Sequence, residues 1–435
     1  MEWYIVGALL VVMLVVLCMA GVPIAFALML TGIIPFFMLK GFIISVNLFS
    51  FQAWQTWYSY VLIVVPLFML MSEVIGFSGI AKDLFDTAEA WIGNIPGGLA
   101  VASIAACAVF GAVCGSSMIG ALTIGAIAVP EMLRRRYDKS LASGSVAAGG
   151  TLNVLIPPSM MMIFYGIITE TSIGHLFLAG AIPGVILAVL FSSYVVVRVK
   201  LNPALAPPVT TKYSWRARLR SLLGVWSVAA LAVLVMGSLY TGAATPSEAA
   251  GIGAFGAIVI AAIYRKLSWP NFRGALMRTA RLMGFLGILI TGANILGWVL
   301  GYYQIPQQLS ASIAGLPVGP WVILGVIVIM YFFLGMILET VAMTFITLPV
   351  VYSVVFSLGF DPIWFGVVYT ILCEMCSITP PVGLNLYVVQ GVVKEQVTVE
   401  QVIRGAYPFV ILMFILIGLL MVFPQLALWL PGTMR

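Results

Sequence analysis

Apolar runs of about 18 to 25 residues, the length of a membrane-crossing helix, follow one another along almost the whole chain. Lipid offers no partner for a backbone N–H or C=O, so only helices and closed barrels can span a bilayer. Runs this long have helix length, and the chain is expected to be an all-α polytopic membrane protein. Its composition agrees: of 435 residues, 63% are hydrophobic and 8% charged, against roughly 25% charged in a soluble domain.

About ten transmembrane helices are expected, at 3–19, 22–38, 56–76, 140–165 and 174–198, then at 219–240, 246–264, 283–303, 363–390 and 405–430. The apolar start has no A-x-A-like cleavage site and a second span begins almost at once, so it reads as a retained helix. Two segments, about 95–130 and about 320–348, are too long for one span and have polar, Gly-rich middles. Both read as re-entrant hairpins.

The basic residues test this topology. With the N-terminus outside, 18 of the 20 Lys and Arg residues fall on the inner side, among them Lys82, Arg134–Arg136, Lys212, Arg278 and Arg281. Only Lys40 and Arg435 fall outside, and no Lys or Arg occurs between Arg281 and Lys394. The positive-inside rule is met. It accounts for the net charge of +6 together with anionic lipid headgroups near Arg134–Arg136 and the basic helices near 270–281, without a nucleic-acid partner. Both chain ends are expected on the outer side.

Two Pro-Pro pairs interrupt what would otherwise be continuous helices: Asn153-Val-Leu-Ile156-Pro157-Pro158 and Cys376-Ser-Ile-Thr379-Pro380-Pro381. Proline removes a backbone donor and clashes with the preceding turn, so each pair breaks its helix. A break at membrane depth survives only when buried in protein or lining a cavity, and matched breaks in two halves point to a transporter's binding site. Spans and hairpins divide into two units, 1–198 and 219–435, joined by a polar cytoplasmic linker, 199–218, containing Pro203, Pro207 and Pro208. Five spans per unit is an odd number, which predicts two inverted repeats. Gly111 precedes Pro157 by 46 residues and Gly335 precedes Pro380 by 45. Gly21-Val-Pro23 corresponds in the same way to Ala244-Thr-Pro246.

The hairpin tips read Gly111-Ala-Val-Cys114-Gly115-Ser116-Ser117 and Gly335-Met-Ile-Leu338-Glu339-Thr340. Each is expected to face one break, the first at Asn153–Pro158 and the second at Cys376–Val382. Unwound backbone supplies carbonyl oxygens for a dehydrated cation, and helices restarting after a break aim positive dipole ends at an anion.

At these residues the chain resembles the large membrane subunit of the tripartite ATP-independent periplasmic (TRAP) transporters, the DctM-like family. The resemblance covers essentially the full length. It rests on Gly111–Ser117, Pro130-Glu131-Met132, Gly150–Ser159, Thr245-Pro246-Ser247-Glu248, Gly335–Glu339 and Ile378-Thr379-Pro380-Pro381-Val382-Gly383. It implies sodium-driven import of a small organic acid by an elevator mechanism in a bacterial inner membrane. It also implies two partners, a small four-helix membrane subunit and a periplasmic substrate-binding protein. Carried over by motif, one sodium site takes Cys114, Ser116, Asn153, Ile156 and Pro158, and a second takes Gly335, Cys376, Thr379 and Val382. Substrate is then expected near Ser116, Ser117, Pro158, Ser159, Pro381 and Asn385. The chain departs from the family pattern at Cys114, where serine is commoner, and at Asn153 and Cys376, where glycine is commoner.

Other motifs carry less. Cys373-x-x-Cys376 has redox or metal spacing, but its apolar setting favours small buried cysteines. The lone histidine, His175, reads as interfacial. Glu248 is expected to cap its helix, Glu73 to lie at an interface, and Gln52–Tyr58 to form an aromatic belt. Glu339 and Glu374, acids inside membrane segments, are expected to pair with polar backbone or to tune cation affinity. No P-loop or hydrolase motif occurs, so a transporter is expected rather than an enzyme. A stand-alone sodium- or proton-coupled carboxylate transporter of similar architecture is the nearest alternative.

Overall fold

A computed structural model describes residues 3–207, 213–315 and 317–433. Pro208, Lys212 and Arg435, which entered the linker and charge arguments, lie outside the described residues. Among the described residues the structure is helical without strands. Eight helices are long and apolar enough to cross a membrane, or up to ten when two bent pairs each count as one span. Two further N-terminal helices, Trp3–Met19 and Ile24–Lys40, are shorter and apolar.

Each expected hairpin is a pair of helices meeting at a short turn. The first is Gly98–Cys114 followed by Ser117–Arg134, and the second is Pro320–Ile337 followed by Thr340–Ser357. Each expected broken helix is also present. Lys139–Leu155 and Met160–Thr169 meet at 42° across the first Pro-Pro pair, and Pro362–Ser377 gives way to Leu384–Val393 across the second. Both Pro-Pro bonds are cis.

Local chemistry sets the starts of these elements. An aspartate caps each broken helix: Asp138 accepts from Leu141 N at 2.8 Å, and Asp361 from Ile363 N and Trp364 N at 2.8 and 2.9 Å. Each cap satisfies an orphan donor of the first turn. Thr245 and Glu248 form a capping box, as the sequence led us to expect. His175, half-buried, sits on the first turn of Ile173–Leu201, with Nδ1 2.9 Å from the capping Ser172 hydroxyl.

Several boundaries differ from expectation: the second hairpin runs on to Ser357 rather than about 348, and the span expected at 405–430 is Val399–Val422. The helix expected to end at 198 runs on to Leu201, because Val195 and Val199 continue its buried face. The span expected from 219 begins at Trp226, after a 51° bend from the helical segment Trp215–Gly224. The span expected at 283–303 is the second half of a single helix, Trp269–Tyr302. The aromatic belt at 52–58 is part of a helix, Phe42–Tyr58. It is docked rather than free: Trp57 covers Gly287, and Asn294 Nδ2 donates to Thr56 Oγ1 at 2.8 Å.

The packing separates two blocks. Ile24–Lys40, Val64–Phe77, Pro246–Ile263 and Trp269–Tyr302 pack on one another, mixing the early helices of both halves. Gly292 lets two of them touch, since a Cβ there would strike the Ala25 carbonyl. The hairpins, the broken helices, Ile173–Leu201 and Val399–Val422 form the other block. Gly144 and Gly405 bring Lys139–Leu155 and Val399–Val422 into backbone contact there.

Candidate functional site

Each hairpin tip sits on one break. At the first, Met160 N donates to Gly115 O at 3.3 Å, and Gly115, at φ +64°, has no room for a Cβ against the Pro158 carbonyl. At the second, Val382 N donates to Met336 O at 3.4 Å. The pairing expected from sequence is therefore present in both halves.

Proline explains why these points are rich in oxygen. A helical N–H at position i serves the carbonyl at i−4. Pro157 and Pro158 withhold that donor from Asn153 and Val154, and Pro380 and Pro381 withhold it from Cys376 and Ser377. Thr379 N takes up the Cys376 carbonyl at 3.3 Å. Unwound carbonyls gathered at a buried tip are hard ligands suited to an alkali-metal cation.

At the first break the expected ion ligands, and the expected substrate residue Ser159 beside them, make local contacts. Cys114 lies 3.0 Å from the Ser72 hydroxyl, Ser116 caps Ser117–Arg134 by accepting from Ile119 N, and Ser159 caps Met160–Thr169 by accepting from Met162 N at 3.3 Å. Ile156 N closes the preceding helix on Leu152 O at 2.9 Å. Asn153 is fully buried, and neither its Oδ1 nor its Nδ2 has a partner among the described residues. Its side chain occupies the space left by two glycines, Gly111 and Gly120, one on each arm of the hairpin.

The second group repeats that device. Cys376 fills the space beside Gly335, and its thiol donates to Leu372 O at 3.1 Å. The Thr379 hydroxyl bonds back to Met375 O. Cys373 and Cys376 are free and buried, in keeping with small packed cysteines. Glu339 caps the outgoing arm, accepting from Val341 N and Ala342 N, both at 3.0 Å.

Among the expected substrate residues, Ser117 and Asn385 are brought together and held on each other: Asn385 Nδ2 donates to Ser117 Oγ at 2.6 Å and to Ala147 O at 3.2 Å. Pro381 O accepts from Tyr387 at 2.9 Å.

Two cavities flank the boundary between the blocks. One, of about 760 Å³, is lined by Glu73, Met118, Thr123, Arg278, Arg281 and Tyr387. The other, of about 470 Å³, is lined by Gln52, Thr56, Glu170, Asn294, Trp298 and Pro349. Sequence reading missed the first cavity's polar wall. Glu73 pairs with Arg278 at 2.6 Å across 205 positions of chain, a separation that leaves no local signal.

Comparison with known proteins places these features in a family. The family model described as "Tripartite ATP-independent periplasmic transporter, DctM component" matches residues 11–426. The C4-dicarboxylate TRAP transporter large permease protein DctM of Pseudomonas aeruginosa is 34% identical, over 89% of this chain and 90% of that protein. The ectoine/5-hydroxyectoine TRAP transporter large permease protein UehC of Ruegeria pomeroyi is 31% identical, over 96% of each. The sialic acid TRAP transporter large permease protein SiaM of Vibrio cholerae is 29% identical, over 95% of this chain and 96% of that protein. Among solved structures, the Alcanivorax borkumensis YdaH transporter shares the fold at a TM-score of 0.60 and 16% identity, covering 88% of this chain and 86% of its own.

Proposed function

We infer, from the premise that the chain belongs to the DctM component family of the tripartite ATP-independent periplasmic transporters, that it is the large membrane subunit of a sodium-coupled importer of a small organic acid. The observation that carries this reading is the pair of tip-on-break contacts, Gly115 with Met160 and Met336 with Val382. Each gathers unwound carbonyls in a buried setting, which suits a dehydrated sodium ion. In this reading the first ion takes Cys114, Ser116, Asn153, Ile156 and Pro158. The second takes Gly335, Cys376, Thr379 and Val382. Backbone oxygen supplies most of the contacts, so sulfur at Cys114 and Cys376 is tolerated.

The substrate lies between the ions, near Ser116, Pro158, Ser159 and Pro381, with Ser117 and Asn385 behind them. The relatives named above act on C4-dicarboxylates, ectoines and sialic acid. All of these carry a carboxylate. Arg278 and Arg281 in the larger cavity complement such an anion on its way out. The same order of elements in the two halves supports an inverted repeat. The block of hairpins and broken helices is then the moving part of an elevator, and the other block is the scaffold. The protein works in a bacterial inner membrane with both termini periplasmic. A periplasmic binding protein delivers substrate, and a small four-helix subunit enlarges the scaffold.

Reconstitution of the three components in liposomes tests this. Uptake of the carboxylate held by the binding protein should require both that protein and an inward sodium gradient. Uptake with potassium in place of sodium, or without the binding protein, would overturn the proposal.

A further inference from the structure

The larger cavity carries one more positive charge than it balances. Four helices form it: Val64–Phe77 and Trp269–Tyr302 of the scaffold block, and Ser117–Arg134 and Leu384–Val393 of the other. Its volume, about 760 Å³, lies within the roughly 300–1,000 Å³ of small-molecule sites. Arg278 and Arg281 stand three residues apart on one helix and so share a face. Both line the cavity together with Glu73. Glu73 holds Arg278 Nε at 2.6 Å. A guanidinium has five N–H donors, and one carboxylate engages two of them in a bidentate pair, so Arg278 keeps donors to spare. Arg281 has no acidic partner among the described residues. Apart from Thr123 and Tyr387, the remaining walls are apolar or glycine, Phe77, Met118, Leu122 and Leu282 among them.

A single anionic head on an apolar body matches these walls. We propose that the cavity binds an organic monocarboxylate, with its head on Arg278 and Arg281 and its body against Met118, Leu122 and Leu282, and that the bound molecule clamps the two blocks together. Guanidinium takes a carboxylate through paired, charge-assisted hydrogen bonds. A dicarboxylate matches less well, because its second charge has no cation to balance it and faces apolar walls. Glu73 competes with the ligand head for Arg278.

The site adjoins the expected substrate residues without including them. Met118 follows Ser117 on the outgoing arm of the first hairpin, and Tyr387 donates to Pro381 O. An occupant can therefore be cargo leaving the tips or a separate amphiphile; the chemistry is the same, and experiment separates the two. The clamp rests on the elevator reading above, because the walls come from both blocks.

Binding of radiolabelled octanoate to the chain with its small subunit in nanodiscs, with empty nanodiscs subtracted, provides the test. Arg281→Gln breaks no ion pair and should weaken octanoate binding at least about ten-fold. Glu73→Gln removes the competing acid and should strengthen it; should that variant fail to fold, Arg281→Gln alone reads the site. Succinate, with two charges and no apolar body, should not displace octanoate, and neither should the uncharged octanamide. Displacement by the carboxylate that the binding protein holds identifies the occupant as cargo, and no displacement identifies it as a separate amphiphile. In proteoliposomes octanoate should slow sodium-driven uptake, with a half-inhibiting concentration about ten-fold higher for Arg281→Gln. Octanoate that does not bind, or binds Arg281→Gln unchanged, would overturn the site. Bound octanoate that leaves uptake at full rate would overturn the clamp. A chain that binds octanoate but shows no sodium-driven uptake would remove the sodium-coupled reading and leave the site standing.

Discussion

At the residue scale, Asn153 and Cys376 are explained by the glycines opposite them. A methyl group on Gly120 would coincide with the Asn153 amide, and one on Gly335 with the Cys376 sulfur. Family resemblance marked both residues as departures from glycine and set each opposite a hairpin tip, but the fit of each side chain into the space of a facing glycine, Gly120 on the outgoing arm included, was not legible. Gly120→Ala should destabilise the protein by about 1–3 kcal/mol through overpacking, seen as a lower melting temperature in detergent. Adding Asn153→Gly should restore most of the loss, whereas simple additivity of the two changes would contradict the fit. Glu339 is a second case. Sequence left it two roles, pairing with polar backbone or tuning cation affinity, and its carboxylate takes the first, accepting from two backbone amides. Glu339→Ala should cost about 0.5–2 kcal/mol as a lost cap and leave the sodium half-saturation of uptake unchanged. A ten-fold change there would show that Glu339 touches the ion.

At the element scale, the Pro-Pro breaks and both hairpins were legible because proline and glycine act through the backbone and leave a local mark. The helix Phe42–Tyr58 was not. Its mixed aromatic and polar sequence has the composition of an interface, and only its partners at Gly287 and Asn294 show that it is docked. The continuity of the basic helix near 270–281 with the span that follows it, in Trp269–Tyr302, was missed for a related reason. Its arginines, Arg273, Arg278 and Arg281, lower the hydropathy and hide a continuous helix. The breaks themselves give a prediction. Pro157→Ala returns an N–H that can claim the Asn153 carbonyl. In reconstituted transporter it should raise the sodium half-saturation about ten-fold while the protein still folds. An unchanged sodium dependence would mean that this carbonyl is not a ligand.

At the scale of the whole molecule, the division into two blocks matters most. The scaffold candidates from both halves pack together, and the Glu73–Arg278 pair ties Val64–Phe77 to Trp269–Tyr302 within that block. A cavity lies on either side of the boundary, lined by residues of both blocks. The boundary itself can be locked. Gly76 lies on the scaffold side and Ile119 on the first hairpin, and a Cβ at Gly76 would stand 3.9 Å from the Ile119 side chain. Cysteines at both positions should form a disulfide in this conformation, in a chain whose five native cysteines are free. Oxidation of Gly76→Cys/Ile119→Cys should then abolish sodium-driven uptake, and reduction should restore it. Full-rate uptake with the disulfide completely formed would contradict the account, because it would mean that the two blocks do not move past each other.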